Sequence, residues 1–169
     1  MSSYQRTTRE CTPDQLRPEL HDAIRDYFSA RELGDLETAS LLCCETTSTR
    51  TSASWLSNLL NDGEETNIYS AILLTPTTLV WARASSARPV QVTGANLMNI
   101  RAKAYVSILS KDSGLEISGI IENAKGPLRG QIALGPEPFS QKFCEEVAQA
   151  IEKINPAPTR KFPSWMGGK

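Results

Sequence analysis

The sequence predicts an α+β fold in a single domain, with a bent antiparallel sheet of about seven strands between two helices. Three observations support this prediction. An amphipathic stripe of Leu16, Leu20, Ile24 and Phe28 opens the chain, and a second stripe between residues 139 and 154 closes it. Between them lie short segments rich in β-branched residues, separated by Gly, Pro, Asn and Asp. With 169 residues and 40% hydrophobic content, the chain is long enough to bury one core.

The N-terminal part of the chain has a polar start and a clear helix signal. Residues 1–11 are polar, and we expect them to be disordered. Thr12-Pro13-Asp14-Gln15 provides a capping threonine, a proline at the first helical position and a glutamine at the third. We therefore predict an N-terminal helix over 12–34 that ends at Gly34, with Pro18 marking where its regular part begins. A short helical turn is predicted within 35–42.

The strand signals run from residue 43 to residue 134. Strands are predicted at 43–50, 68–75, 78–84, 90–93, 97–101, 105–110, 115–122 and 130–134, with a bulge at Gly94 between the fourth and fifth segments. A short helix is expected to be inserted at 54–60. The closing helix is predicted over 138–154, because Asn155-Pro156 ends its stripe, and residues 155–169 read as a flexible C-terminal tail.

Several segments resemble the pleckstrin-homology-like (PH-like) domains of bacteria, including the GRAM-like ones. The segment Leu73-Leu74-Thr75-Pro76-Thr77-Thr78-Leu79-Val80-Trp81 looks like a hairpin that is common in these domains, and Leu97-Met98-Asn99-Ile100 resembles a segment on their next strand. Residues 137–151 are similar to their closing helix. The resemblance covers residues 43–154 and implies a PH-like core whose open end is capped by the last helix. It implies no catalytic residue.

The chain departs from the PH domains that bind phosphoinositides. Those domains carry Lys and Arg between their first two strands, whereas this connection has Asp62, Glu64 and Glu65 and no lysine. The net charge of −1 also gives no basic excess, so neither nucleic acid nor an anionic membrane is an expected partner. The alternative fold is an NTF2-like cone, because residues 24–42 are similar to the opening helices of that family.

Composition also bears on the cellular location. The first residues lack the apolar core of a signal peptide, and the longest apolar runs are too short to cross a bilayer. The four cysteines, Cys11, Cys43, Cys44 and Cys144, have irregular spacing and are expected to be reduced. A cytoplasmic location is therefore expected.

The residue types required for common catalytic chemistry are sparse. The only histidine, His21, falls on the polar side of the first helix, and no Gly-x-Ser-x-Gly accompanies it. The cysteines lack paired metal-ligand spacing, and no phosphate-binding glycine motif is present. We therefore predict no catalytic residue, no metal site and no cofactor.

Three groups of residues are candidates for binding, each with a plainer alternative. The cluster Trp55, Leu56, Leu59 and Leu60 either binds a partner or packs on its own domain. In the tail, Arg160, Lys161, Phe162 and Trp165 form either a linear motif or a disordered end. Arg101, Lys103, Lys125 and Arg129 form either a basic patch or scattered surface charge. The functional prediction is a non-catalytic binding or adaptor module with a protein partner; the alternative is an NTF2-like small-ligand binder or small enzyme.

Overall fold

The computed structural model describes residues 3–51, 67–86, 88–108, 112–122 and 126–156. The strands in these ranges are β1 (Ser3–Glu10), β2 (Leu42–Thr51), β3 (Asn67–Leu74), β4 (Thr78–Ser85), β5 (Arg88–Asn96), β6 (Ile100–Val106), β7 (Ser113–Gly119) and β8 (Leu128–Ala133). The helices are α1 (Pro18–Ala30), α2 (Leu36–Ala39) and α3 (Pro138–Ile154), with 3-10 turns at Pro13–Gln15 and Leu97–Asn99.

The strands form two antiparallel sheets. Strands β1 to β5 make a five-stranded sheet in sequence order, and β6 to β8 make a three-stranded sheet. The predicted α+β class is thus confirmed. Within the described ranges, however, eight strands lie in two sheets, where the sequence predicted about seven in one bent sheet.

The five-stranded sheet is buried on both faces. On one face, Ala71 and Leu73 of β3 pack with Ile24 and Phe28 of α1. On the other face, the intervening Ile72 joins a second core, which contains residues of the three-stranded sheet and of α3. Successive strand residues point to opposite faces, so the apolar run in β3 supplies both cores.

Helix α3 confirms the predicted closing helix and lies where the two sheets meet. It contacts β6 and β7 of the smaller sheet and β1 of the larger one. Its apolar stripe places Phe143, Val147 and Ile151 in the second core, with Phe139 partly buried beside them. The 3.6-residue period of the stripe therefore predicted the buried face correctly as far as Ile151, whereas Ile154 at its end is exposed.

The prediction of a disordered segment at 1–11 is wrong for Ser3–Glu10, which form β1 and pair with residues 44–51 of β2. Buried polar contacts hold this strand. The Thr8 and Thr46 hydroxyl oxygens are 2.8 Å apart, and the Gly135 N–H donates to the Thr8 hydroxyl at 2.7 Å. A strand held by backbone pairing and buried threonines needs no apolar pattern, so no periodicity in residues 3–10 indicated it.

Two predicted boundaries also change. The N-terminal helix predicted over 12–34 is a 3-10 turn followed by α1, because Pro18 leaves Arg17 extended. The strand predicted at 97–101 begins only at Ile100. The Asn96 side chain accepts a hydrogen bond from the Met98 N–H at 2.9 Å and stabilises the 3-10 turn that separates the two sheets.

Burial of the sheet on both faces also determines where the adjacent cysteines lie. Cys43 and Cys44 are both buried, each in a different core. In the described part of the chain, no helix combines the length and the apolar character that crossing a membrane requires.

We predict that Phe143→Ala lowers the free energy of unfolding by about 3–5 kcal/mol, because the ring is only 1% exposed and its removal leaves a cavity. Urea unfolding followed by circular dichroism measures the change. Lys142→Ala, one residue earlier on the exposed side of α3, is the control. A loss below about 1 kcal/mol for Phe143→Ala would contradict the assigned packing.

Candidate functional site

Two of the three groups of binding residues predicted from the sequence lie outside the described residues. These are Trp55, Leu56, Leu59 and Leu60 in the 52–66 segment, and Arg160, Lys161, Phe162 and Trp165 in the 157–169 segment. The lysine at 125 also lies outside them. Of the predicted candidates, Arg101, Lys103 and Arg129 lie in the described part of the chain, and Arg101 and Lys103 line a groove together with residues of α3.

One long edge of β6 is open in the described structure. Among the described strands, β6 pairs with β7 only, through a register that joins Arg101 to Ser118 and Lys103 to Glu116. The Ile120 N–H donates to the Asn99 carbonyl at 3.0 Å, so odd-numbered residues of this segment face β7. Backbone groups alternate between the two edges of a strand, so those of the even-numbered residues face the outer edge.

The end of α3 confirms this alternation and marks one end of the edge. The Asn155 side-chain amide donates to the Ile100 carbonyl at 2.8 Å, which satisfies the first outward acceptor. The N–H and C=O groups of Ala102 and Ala104 point the same way. Unpaired backbone groups along a strand edge are a template for a further strand.

A groove of about 270 Å3 runs beside this edge. It is lined by Arg101, Ala102, Lys103, Ile151, Glu152 and Asn155, so its walls are β6 and the last turns of α3. Small alanine side chains on β6 leave room between the strand and the helix. The floor is apolar and the rim is charged, which is a common composition for a binding groove.

Charged side chains surround the groove on the outer face of the small sheet. Arg101 and Lys103 are exposed on β6, and Arg129 is exposed on β8. Glu116 lies between them on β7 and accepts a hydrogen bond from Nε of Arg129 at 2.8 Å. Three of the four residues of the predicted basic patch therefore share one face, with Glu116 neutralising part of their charge.

An exposed apolar patch lies at the start of β6. Met98, Ile120 and Leu128 are each at least half exposed. The hydrogen bond between Ile120 and Asn99 and the pairing of Gly119 with Leu128 bring these three segments together. Gly119 has φ +135°, and a Cβ there would lie 2.2 Å from the Asn99 carbonyl oxygen, so this close approach requires glycine.

A second cleft lies between the two sheets, with a volume of about 280 Å3. Its lining alternates polar and apolar groups from β1 to β4 and β8: Tyr4, Arg6, Ser48, Ile68, Ser70, Ala71, Trp81, Ala82, Arg83, Gln131, Ile132 and Ala133. Arg6 is held by an ion pair with the buried Asp112, at 2.5 Å. The same sheet face is thus apolar near α3 and polar at this end.

The remaining polar clusters have structural roles. Nε2 of His21 lies 3.2 Å from Glu37 on the surface, and in the described ranges no three His, Cys, Asp or Glu side chains are grouped as metal ligands. Glu45 is only 5% exposed and accepts hydrogen bonds from Arg9 Nη2 at 3.2 Å and the Arg17 N–H at 2.9 Å. It therefore joins β1 and β2 to the start of α1.

Tyr27 and Glu122 connect α1 to the segment after β7. The Tyr27 hydroxyl donates to Glu122, whose other carboxylate oxygen lies 2.6 Å from Arg31 Nη1. The Tyr27 ring lies on Gly94, where a Cβ would meet the hydroxyl oxygen at 2.0 Å. Burial, reinforced by the hydrogen bond to Glu122, raises the pKa of Tyr27 above its ordinary value.

We predict that this raised pKa makes the protein sensitive to alkali. Above about pH 10 the unfolded chain ionises Tyr27 while the folded protein keeps the phenol neutral, so stability is lost as the pH rises. The contribution of Tyr27 to the slope of unfolding free energy against pH should stay well below about 1.4 kcal/mol per pH unit, since solvent screens this partly exposed pair. Urea unfolding between pH 9 and pH 11.5 should show a shallower decline for Tyr27→Phe than for wild type. Equal slopes would contradict the assignment.

Comparison with known proteins gives no relative from which to transfer a function. No family model matches the chain, and no curated protein or solved structure is significantly similar to it. Any functional assignment therefore depends on the groove, the cleft and the charges described above.

Proposed function

We propose that this chain is a non-catalytic binding module that recognises an extended peptide segment of a protein partner by strand addition at the outer edge of β6. The observation that carries the proposal is the open edge of β6 beside the groove formed with α3. In strand addition, backbone hydrogen bonds provide affinity, and pockets for alternate side chains provide specificity. Here Ala102 and Ala104 provide the backbone hydrogen-bonding groups, and the groove provides a pocket for side chains.

The order of elements supports a PH-like architecture for this module. Strands β2 to β8 followed by α3 give seven strands and a closing helix, which is the order implied by the resemblance of residues 43–154. Strand β1 and helix α1 are additions ahead of that core. The hairpin at 73–81 forms β3, β4 and the turn between them, in which the Thr75 hydroxyl accepts from the Thr78 N–H at 2.9 Å.

The charges beside the edge indicate which peptides the module prefers. Side chains of an added strand that project to the outer face would lie next to Arg101 and Lys103. Opposite charges on neighbouring strands stabilise a pair, so these positions favour Asp or Glu. Side chains that project to the other face would enter the groove against Ile151, which favours apolar residues. The preferred ligand is an extended peptide with alternating acidic and apolar residues.

We predict that Ala102→Pro weakens peptide binding about tenfold or more. Proline removes one outward N–H and adds a ring at the edge, but leaves the β6–β7 hydrogen bonds intact. The probe is a peptide selected on this protein from a displayed library of random ten-residue sequences. Fluorescence anisotropy measures its affinity, and hydrogen exchange should show protection of the Ala102 and Ala104 amides when it is bound.

Gln131→Pro is the matched control, because Gln131 is exposed on β8 and its N–H points to the opposite outer edge of the same sheet. It should bind the peptide like wild type. When library peptides are selected on the Lys103→Glu variant instead, the peptide positions that are acidic after selection on wild type should become Lys or Arg. Unchanged affinity in Ala102→Pro, or protection confined to other strands, would refute strand addition at β6.

A second candidate function, the binding of a small ligand, is favoured by the cleft between the sheets. This corresponds to the small-ligand alternative predicted from the sequence, and the volume of about 280 Å3 is close to the lower limit for such sites. The clustering of arginine, serine and tyrosine side chains around Trp81 provides both hydrogen bonds and an apolar surface.

We predict that Ser70→Leu fills this cleft and abolishes any stabilisation by a small molecule bound there. Thermal shift with a library of small polar and anionic compounds finds the binder. A binder present at 100 times its Kd should raise the stability of wild type by about 2.7 kcal/mol. Thr49→Leu is the control, because Thr49 lies on β2 but outside the cleft. A compound that still stabilises Ser70→Leu does not bind in the cleft.

A further inference from the structure

Cys11 and Cys43 face each other across the end of the β1–β2 ladder. Glu10 pairs with Cys44, so the next residues in register are Cys11 and Cys43, and the Cys11 N–H donates to the Cys43 carbonyl at 3.3 Å. The two sulfur atoms are 3.7 Å apart. Directly opposite residues of this hydrogen-bonded type have Cα atoms about 5.5 Å apart, which is within the range that disulfides span.

The pair is buried but lies at a pocket. Cys11 is 7% exposed and Cys43 is 6% exposed. Both line a pocket of about 290 Å3 whose rim includes the exposed residues Glu10, Thr12 and Asp14. The pocket therefore opens to solvent beside both cysteine residues.

The two thiols differ in acidity. The hydrogen bond between the two thiols lowers the pKa of Cys11, with a smaller contribution from the charge of Arg9, against the opposing effect of burial. The hydrogen bond to Cys11, together with burial, raises the pKa of Cys43. The thiolate is the reactive form of cysteine, so the lowered pKa favours Cys11 as the nucleophile of the pair.

We propose that Cys11 and Cys43 form a redox-active dithiol that a small hydroperoxide converts to an intramolecular disulfide. In the first step the Cys11 thiolate attacks a peroxide oxygen, the O–O bond breaks, and the departing oxygen takes a proton and leaves as water or an alcohol. Cys11 becomes a sulfenic acid. In the second step the Cys43 sulfur attacks Cys11 Sγ, an S–S bond replaces the S–O bond, and the Cys43 proton leaves with hydroxide as water. Two thiols lose two electrons and one peroxide gains them.

The other two cysteines provide an internal comparison. Cys44 and Cys144 are fully buried in the core on the opposite face of the five-stranded sheet. Burial raises the pKa of both thiols. They should remain reduced under conditions that oxidise Cys11, since a neutral buried thiol is a poor nucleophile.

The test treats the reduced full chain with one to three equivalents of hydrogen peroxide at neutral pH. After quenching, free thiols are alkylated in denaturant, and non-reducing proteolysis with tandem mass spectrometry locates any cross-link. The expected result is a monomer that is two hydrogens lighter, a link between Cys11 and Cys43, and alkylated Cys44 and Cys144. The link closes the segment that contains α1, so the oxidised form should unfold about 5–15 °C higher, and dithiothreitol should reverse the shift.

Cys43→Ala and Cys44→Ala are a matched pair, because they remove adjacent buried thiols that differ in the face they occupy. Cys44→Ala should form the same link as wild type. Cys43→Ala should form none, and its Cys11 sulfenic acid should be trapped by dimedone. The proposal is overturned if wild type shows no 11–43 link, if the link joins Cys44 or Cys144, or if disulfides form only between molecules. Since the wild-type spectrum alone decides these points, unfolding of a variant does not remove the test.

Discussion

Alternate side chains of β3 enter two separate hydrophobic cores, and the rest of the structure depends on this burial of the central sheet on both faces. A slip of one residue between β2 and β3 would send every side chain of one strand to the wrong core, so the register is strongly specified. Each face must also be covered. Helix α1 covers one face, and the three-stranded sheet with α3 covers the other.

This arrangement determines which hydrogen-bonding edges remain open. Helix α3 bridges the two sheets by packing on β6, β7 and β1, and Asn155, the residue after the helix, donates a hydrogen bond to the Ile100 carbonyl. The helix thus packs beside β6 and leaves the backbone N–H and C=O groups of Ala102 and Ala104 at the outer edge, next to the groove. An edge strand bordered by a rigid helix is prepared for an extended ligand, because little of the protein must be ordered when binding occurs.

Side chains of adjacent strand residues point to opposite faces of the sheet, so neighbours in the chain lie in different surroundings. Cys43 and Cys44 are adjacent in the chain but lie in different cores, and only Cys43 meets Cys11 at a pocket. Similarly, the face of β2 that carries the buried Cys44 becomes polar at Thr46 and Ser48, where the sheets diverge into the cleft. One sheet therefore contributes to a dithiol pair, an apolar core and a polar cleft without any special loop.

The sequence alone determined the elements whose burial follows a simple period. It located α3, the hairpin of β3 and β4, and the break at Pro18, because apolar spacing and proline act locally. It did not reveal β1, whose pairing with β2 depends on backbone hydrogen bonds and buried threonines. Nor did it reveal the open edge of β6 or the contact between Cys11 and Cys43. These features depend on which strands become neighbours, and tertiary packing decides that through contacts between residues far apart in the chain.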